Sequence, residues 1–149
     1  MKTAFATLLL LLNFIFVDYY SDSSSSSEYV AIKQEKELEQ SIGDGKAIYS
    51  EFCIRCHLGQ GEGVEGIYPP LANSDWLSEK RRESIKSIKF GLKGEIEVNG
   101  ETYNNRMMSM GLTDREVADV MNYIINDFGN EEKDLPQVTL NEVSKLTKD

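Results

Sequence analysis

Cys53-Ile54-Arg55-Cys56-His57 contains both cysteines and the single histidine of the chain. Four chemistries compete for such a pentapeptide. A thioredoxin-like redox pair sits after a strand in a βαβ unit. Here Ile48, Tyr49 and Phe52, spaced as on one helical face, predict a short helix from Asp44 into Cys53. A structural zinc site needs about four Cys or His ligands, one more than the sequence supplies. A disulfide between residues 53 and 56 would close too small a loop to stabilise much. What remains is attachment of haem. Two thiols three residues apart at a helix end add across the two vinyl groups as thioethers, and the adjacent imidazole lies under the iron as proximal ligand.

The surrounding composition fits. The chain has 149 residues, 40% of them hydrophobic. With 25 acids against 16 bases its net charge is −9, which argues against nucleic acid or bare anionic membrane as partner. By net charge alone, such a protein would be steered to a basic partner, fastest at low salt. Residues 3–17 are uncharged and apolar after Lys2, the pattern of a signal peptide or, uncleaved, of an N-terminal membrane anchor (1–17). The best small-residue pair nearby is Ser21-x-Ser23, and no cysteine follows for lipid attachment. Either reading places the remainder outside the cytoplasm, periplasmic and either soluble or tethered. Residues 18–40, with serines 23–27 and a charged run after them, read as a linker of about 25–30 Å reach. The folded domain is then 41–149, with a core at 44–129 and a tail at 130–149 that ends in a short helix. No repeat of 20–50 residues is visible.

Within that domain, Gly59 to Pro70 reads as an irregular loop. Ser78–Phe90 reads as a helix with Ile85 and Ile88 inward; its cluster Lys80, Arg81, Arg82, Lys86 and Lys89 reads as a solvated face. Glu95–Tyr103 alternates around Asn99-Gly100, a hairpin signal, with Glu95 and Glu97 on its solvated side. Thr113-x-x-Glu116 is a capping box opening a helix through Val117, Val120, Met121, Ile124, Ile125 and Phe128, with Gly129 as stop. Thr139-x-x-Glu142 is a second such box, followed by Val143 and Leu146. The sum is a mostly α domain of three to four short helices and one small β-hairpin. Its loops are too long for its apolar content, and a flat apolar cofactor would complete the core.

From Asp44 to Gly129 the chain resembles the small class I bacterial c-type cytochromes. The resemblance rests on Gly45-Lys-x-Ile-Tyr49-x-x-x-Cys-x-x-Cys-His57, Gly61-x-Gly-Val64, Tyr68-Pro-Pro-Leu-Ala72, Gly91-Leu-x-Gly94 with Val98-Asn-Gly100, Tyr103-Asn-x-x-Met107, and the helix from Leu112 to Ile124. It implies a cytochrome c-like fold around one covalent haem c per chain, His/Met axial ligation and electron transfer. It also implies that the first helix crosses the last with Gly45 near Tyr123. Residue 69 stands twelve after His57, where relatives place the carbonyl that takes the imidazole's second N–H; Pro69 is thus the candidate, and Leu71 a haem-packing side chain. Met107, four residues after Tyr103, aligns with the relatives' iron ligand; Met108 and Met110 are the alternatives, and Met121 reads as a packing residue of the last helix. Trp76 and Tyr103 either reach a haem propionate or are partly buried aromatics satisfied elsewhere. Leu58 and Gln60 stand where many relatives carry Gly and Asp-Gly-like residues, at positions expected to be peripheral. Met107-Met-Ser-Met110 lacks the relatives' Met-Pro. The reading is an electron carrier, not an enzyme, serving redox partner proteins. The alternatives are a haem enzyme or sensor with a labile sixth ligand, and a tethered cytochrome subunit of a larger redox complex.

Overall fold

A computed structural model describes residues 36–148. In chain order these form α1 (Leu38–Ile48), a π-helical turn (Tyr49–Cys53), α2 (Ile54–His57), α3 (Asp75–Glu79), α4 (Arg81–Phe90), strands β1 (Ile96–Val98) and β2 (Glu101–Tyr103), α5 (Asp114–Ile125), a 3-10 turn (Glu131–Lys133) and α6 (Leu140–Ser144). The architecture is mostly α with one two-stranded antiparallel ribbon, in keeping with a cytochrome c-like fold. The expected leader (1–17) and most of the linker lie outside the described residues. Among the described residues no helix is long and apolar enough to cross a membrane.

The helix expected at Asp44–Cys53 begins earlier, at Leu38, so the linker reading ran a few residues too far. The cause is tertiary. Lys36 Nζ bonds Asp44 at 2.6 Å and the buried Asp119 of α5 at 2.5 Å, and Ser41 Oγ donates to the other oxygen of Asp119 at 2.6 Å. Paired in this way the Asp119 carboxylate is satisfied where an isolated charge would be costly. Helix α1 then runs through the π turn, where Ile54 N–H reaches back to Tyr49 O, into α2. The two cysteines and the histidine therefore occupy the end of one nearly continuous helical rod.

Helices α1 and α5 pack directly on each other because Gly45 has no side chain. A Cβ there would lie 2.0 Å from Asp119 O and 2.9 Å from Tyr123 Cβ. Tyr49 fills the space beside that crossing, its ring edge-on to Tyr123 at 5.5 Å and tilted to Phe128 at 5.1 Å. The capping box at Thr113 forms as the sequence predicts, with Glu116 N–H donating to Thr113 Oγ1 and Thr113 N–H to the Glu116 carboxylate. Val117, Val120, Met121, Ile124 and Ile125 are fully buried behind it.

Other expectations need correction. Helix α5 ends at Ile125 with Asn126 (φ −110°, ψ 12°) as its cap, so Phe128 and Gly129 lie beyond the helix and Gly129 is not its stop. The single helix Ser78–Phe90 is two, α3 and α4, broken at Lys80, whose φ of −122° and ψ of 41° are not helical. And the basic cluster is not simply a solvated face. Arg81 makes a two-pronged pair with Glu142 (2.9 Å on both prongs), and Lys89 bonds Asp114 at 2.7 Å and Val143 O at 2.9 Å. Because Glu142 is drawn to Arg81, the second capping box is only half made: Thr139 Oγ1 accepts from Glu142 N–H, but the carboxylate does not return to it. The result is that the tail belongs to the core, with Val138, Val143 and Leu146 buried. Asn122 ties it down further by exchanging two hydrogen bonds with the Val138 backbone, at 2.9 and 2.7 Å.

The ribbon turns through Asn99 (φ 52°) and Gly100 (φ 81°), the two left-handed residues of a type I′ turn. Asn99 and Asp75 exchange backbone-to-side-chain bonds at 2.9 Å each, seating the turn on the start of α3. The crossing gives a direct test: Gly45→Ala must push α1 off α5, and a chemical denaturation series should show a loss of about 3 kcal/mol or more.

Candidate haem site

The rod ends at His57 because Leu58 turns the chain out of the helix, with φ 62° and ψ 179°. That region of backbone space is essentially glycine's, and a side chain in it stores strain of order 1–3 kcal/mol. The departure from Gly at position 58 is thus not peripheral. Leu58 O accepts the Tyr49 hydroxyl at 2.7 Å, and Leu58 N–H still bonds Ile54 O at 2.9 Å, so the strained turn is held from both sides. Beyond it, Gly63 N–H donates to His57 O at 3.0 Å, and Val64 pairs with Tyr68 across an isolated antiparallel bridge. This folds the loop back onto the rod. Pro69 O arrives 3.0 Å from His57 Nδ1. A carbonyl only accepts, so Nδ1 carries the proton and the Nε2 lone pair is left for a metal. Burial lowers the imidazole pKa, with the Pro69 hydrogen bond opposing the shift, which favours the neutral ring that ligation requires.

Leu71 is held by a residue the sequence reading did not single out. Asn130, fully buried just after Gly129, donates to Leu71 O (2.7 Å) and Ile124 O (3.0 Å) and accepts from Ser74 N–H (3.2 Å). Lys133 adds a bond to Ser74 O at 2.7 Å. An asparagine directly behind Gly129 is the signal the sequence offers, but it gives no partner.

Cys53, His57, Pro69, Leu71, Met107 and Trp76 come together on one cleft, closed by Leu77, Ile88, Val98, Met121 and Ile124. Cys56 is half-buried and outside that wall; both thiols are free, and burial next to Cys56 pushes the Cys53 thiol up to about 11. Of the two aromatics in question, Trp76 faces the cleft and Tyr103 does not. Met107 is pinned by a pair of 2.9 Å backbone bonds with Leu92. Gly91 (φ 81°) permits that approach: a Cβ would lie 2.8 Å from Met107 O and 2.9 Å from Ser109 N. Met108 is 57% exposed and points away from this wall, and Met110 does not line it either. Met121 does, fully buried on α5, so the cleft has a second thioether that the sequence assigned to packing alone. The Cys53 thiol with Cys56 beside it, an imidazole, two thioethers and otherwise apolar walls fit a haem.

The strain at Leu58 is measurable without disturbing that donor set. Leu58→Gly and Leu58→Ala both lose the side chain, and only glycine relieves the backbone. Leu58→Gly should therefore be the more stable by about 1 kcal/mol or more in thermal unfolding.

The chain's relatives agree with this geometry. Residues 42–126 match the Cytochrome c family model. Cytochrome c-552 of Thermus thermophilus is 38% identical over 110 residues, covering 69% of this chain and 83% of the relative. The fructose dehydrogenase cytochrome subunit of Gluconobacter japonicus is 28% identical over 92 residues, 58% of this chain but 19% of the relative. The Cbb3-type cytochrome c oxidase subunit FixP of Bradyrhizobium diazoefficiens is 29% identical over 85 residues, 54% of this chain and 28% of the relative. With the family model covering more than half of its length, the chain belongs to the cytochrome c family, and its prosthetic group is covalently bound haem c.

Proposed function

We propose that the protein is a monohaem electron carrier whose iron is held between His57 and Met107, with Cys53 and Cys56 as the thioether residues. When bound, haem c supplies a one-electron iron couple. The observation that carries the reading is that His57 and Met107 line the same apolar cleft, each fixed by its own backbone bond, His57 through Pro69 and Met107 through Leu92. Pro69 holds the imidazole in one tautomer and raises its basicity. Leu92 and Gly91 hold the Met107 segment so that its thioether need not be ordered at the moment of electron transfer. Leu71, Ile88 and Ile124 exclude water, which keeps the environment of the iron constant between its two charge states. Two protein ligands leave no open coordination position, and a methionine ligand raises the reduction potential. A haem enzyme or sensor would need the sixth ligand to leave, and the double backbone tether of Met107 disfavours that.

A second reading, a cytochrome subunit of a larger redox complex, is favoured by two relatives whose names are those of subunits. It shares the chemistry and differs in having stoichiometric companions. Export to the periplasm, soluble or held by the N-terminal apolar segment, goes with both readings.

Single substitutions test the ligand. Met107→Ala should abolish the sulfur-to-iron charge-transfer band, lower the potential and let the ferrous form bind carbon monoxide. Met108→Ala, Met110→Ala and Met121→Leu should keep the band. If Met121→Leu loses it while Met107→Ala keeps it, the iron is held from α5 and the assignment of Met107 falls.

A further inference from the structure

A second depression, about 600 Å³ in volume, lies between α4 and the methionine segment and shares Ser87, Leu92 and Met107 with the haem cleft. Its charge is opposite to that of the molecule. Arg82, Lys86, Lys93, Arg106 and Lys148 line it with one acid, Glu83, so it gathers five of the chain's 16 bases and one of its 25 acids. The contrast along α4 is informative. Arg81 and Lys89 are spent on Glu142 and Asp114, whereas Arg82, Lys93, Arg106 and Lys148 are exposed and have no carboxylate partner among the described residues. Five bases gathered with a single acid leave a local positive field, and a cleft with low-dielectric walls focuses such a field outward. The exposed thioether of Met108 is part of the same lining, an apolar element of the kind that a charged rim surrounds at protein interfaces.

We propose that this groove is a docking site for an acidic surface segment of a partner protein. Net charge predicts a basic partner; the local field at the methionine edge predicts the reverse. An anionic bilayer or a nucleic acid also offers negative charge. Both are extended, however, and would bring their charge against the acidic remainder of the chain, while a concave groove admits one protruding acidic segment and leaves the rest of the partner clear. A group seated there lies against the Met107 segment, which gives docking a direct route to the iron's proposed ligand. That the partner is a redox protein rests on the electron-carrier reading; the binding itself does not.

The test uses the full haem-loaded chain and a hexaglutamate peptide at low ionic strength, followed by backbone amide shifts. Saturable shifts should centre on Arg82–Lys93, Arg106–Ser109 and Lys148, and fade as salt shortens the screening length to about 10 Å near 0.1 M. Lys93→Glu combined with Arg106→Glu should weaken binding at least about tenfold, as should Arg82→Glu combined with Lys148→Glu. Lys46→Glu, an equal change of charge on α1, should leave it within about twofold. Shifts centred elsewhere, binding indifferent to both double variants, or tighter binding of the wild-type protein to phosphatidylglycerol vesicles than to the peptide would each overturn the proposal. A normal haem spectrum and potential with no peptide binding removes the docking site and spares the electron-carrier reading; a wild-type protein without a reversible couple removes that reading and leaves the peptide result to stand or fall alone.

Discussion

Helices α1 and α5 meet backbone to backbone at the Gly45 crossing, and apolar side chains of α2 to α5 and the loops between them converge on the cleft lined by His57 and Met107. Roughly 110 residues with long loops cannot complete a core of that shape from side chains alone. Haem c, joined to the rod that ends in His57, supplies the missing apolar surface. The site is arranged around where that rod ends: the loop doubles back to bring Pro69 O to Nδ1, and the segment after the ribbon brings Met107 to the same cleft.

Polar contacts set these positions. Asn130 fixes the Leu71–Ser74 wall, Asn122 fixes the tail at Val138, and Asp119 gathers Lys36 and Ser41 behind the helix crossing. Each is buried with its hydrogen-bonding capacity engaged, so each costs little in place and much if a partner is removed. The tail is thereby part of the scaffold. Arg81–Glu142 and Lys89 with Asp114 and Val143 O secure it against α4 and α5, while Arg82 on the same α4 faces outward.

What was legible in the sequence was local, or was carried by residue types with a single use. The Thr113 box, the Asn99-Gly100 turn and the pentapeptide each imply their geometry from a few neighbouring residues. The Gly45–Tyr123 crossing and Pro69 came from a family resemblance and are matched by the packing. What was not legible depends on partners far away in the chain. Helix α1 starts at Leu38 because Lys36 meets Asp119, 83 residues on. Glu142 abandons its cap because Arg81 stands beside it. Leu58 is held at positive φ by the Tyr49 hydroxyl and by the return of the loop, and no local signal marks a leucine for that conformation. Asn130 could be seen as a loop residue but not as the anchor of Leu71.

The dependence of the fold on its prosthetic group is tested most directly by far-ultraviolet circular dichroism of the haem-free Cys53→Ser/Cys56→Ser chain, compared with the haem-loaded protein. The account predicts that most of the helical signal is lost and that no cooperative thermal transition remains, because the cleft walls have nothing to close on. A haem-free chain with the same helix content and a cooperative transition would contradict it.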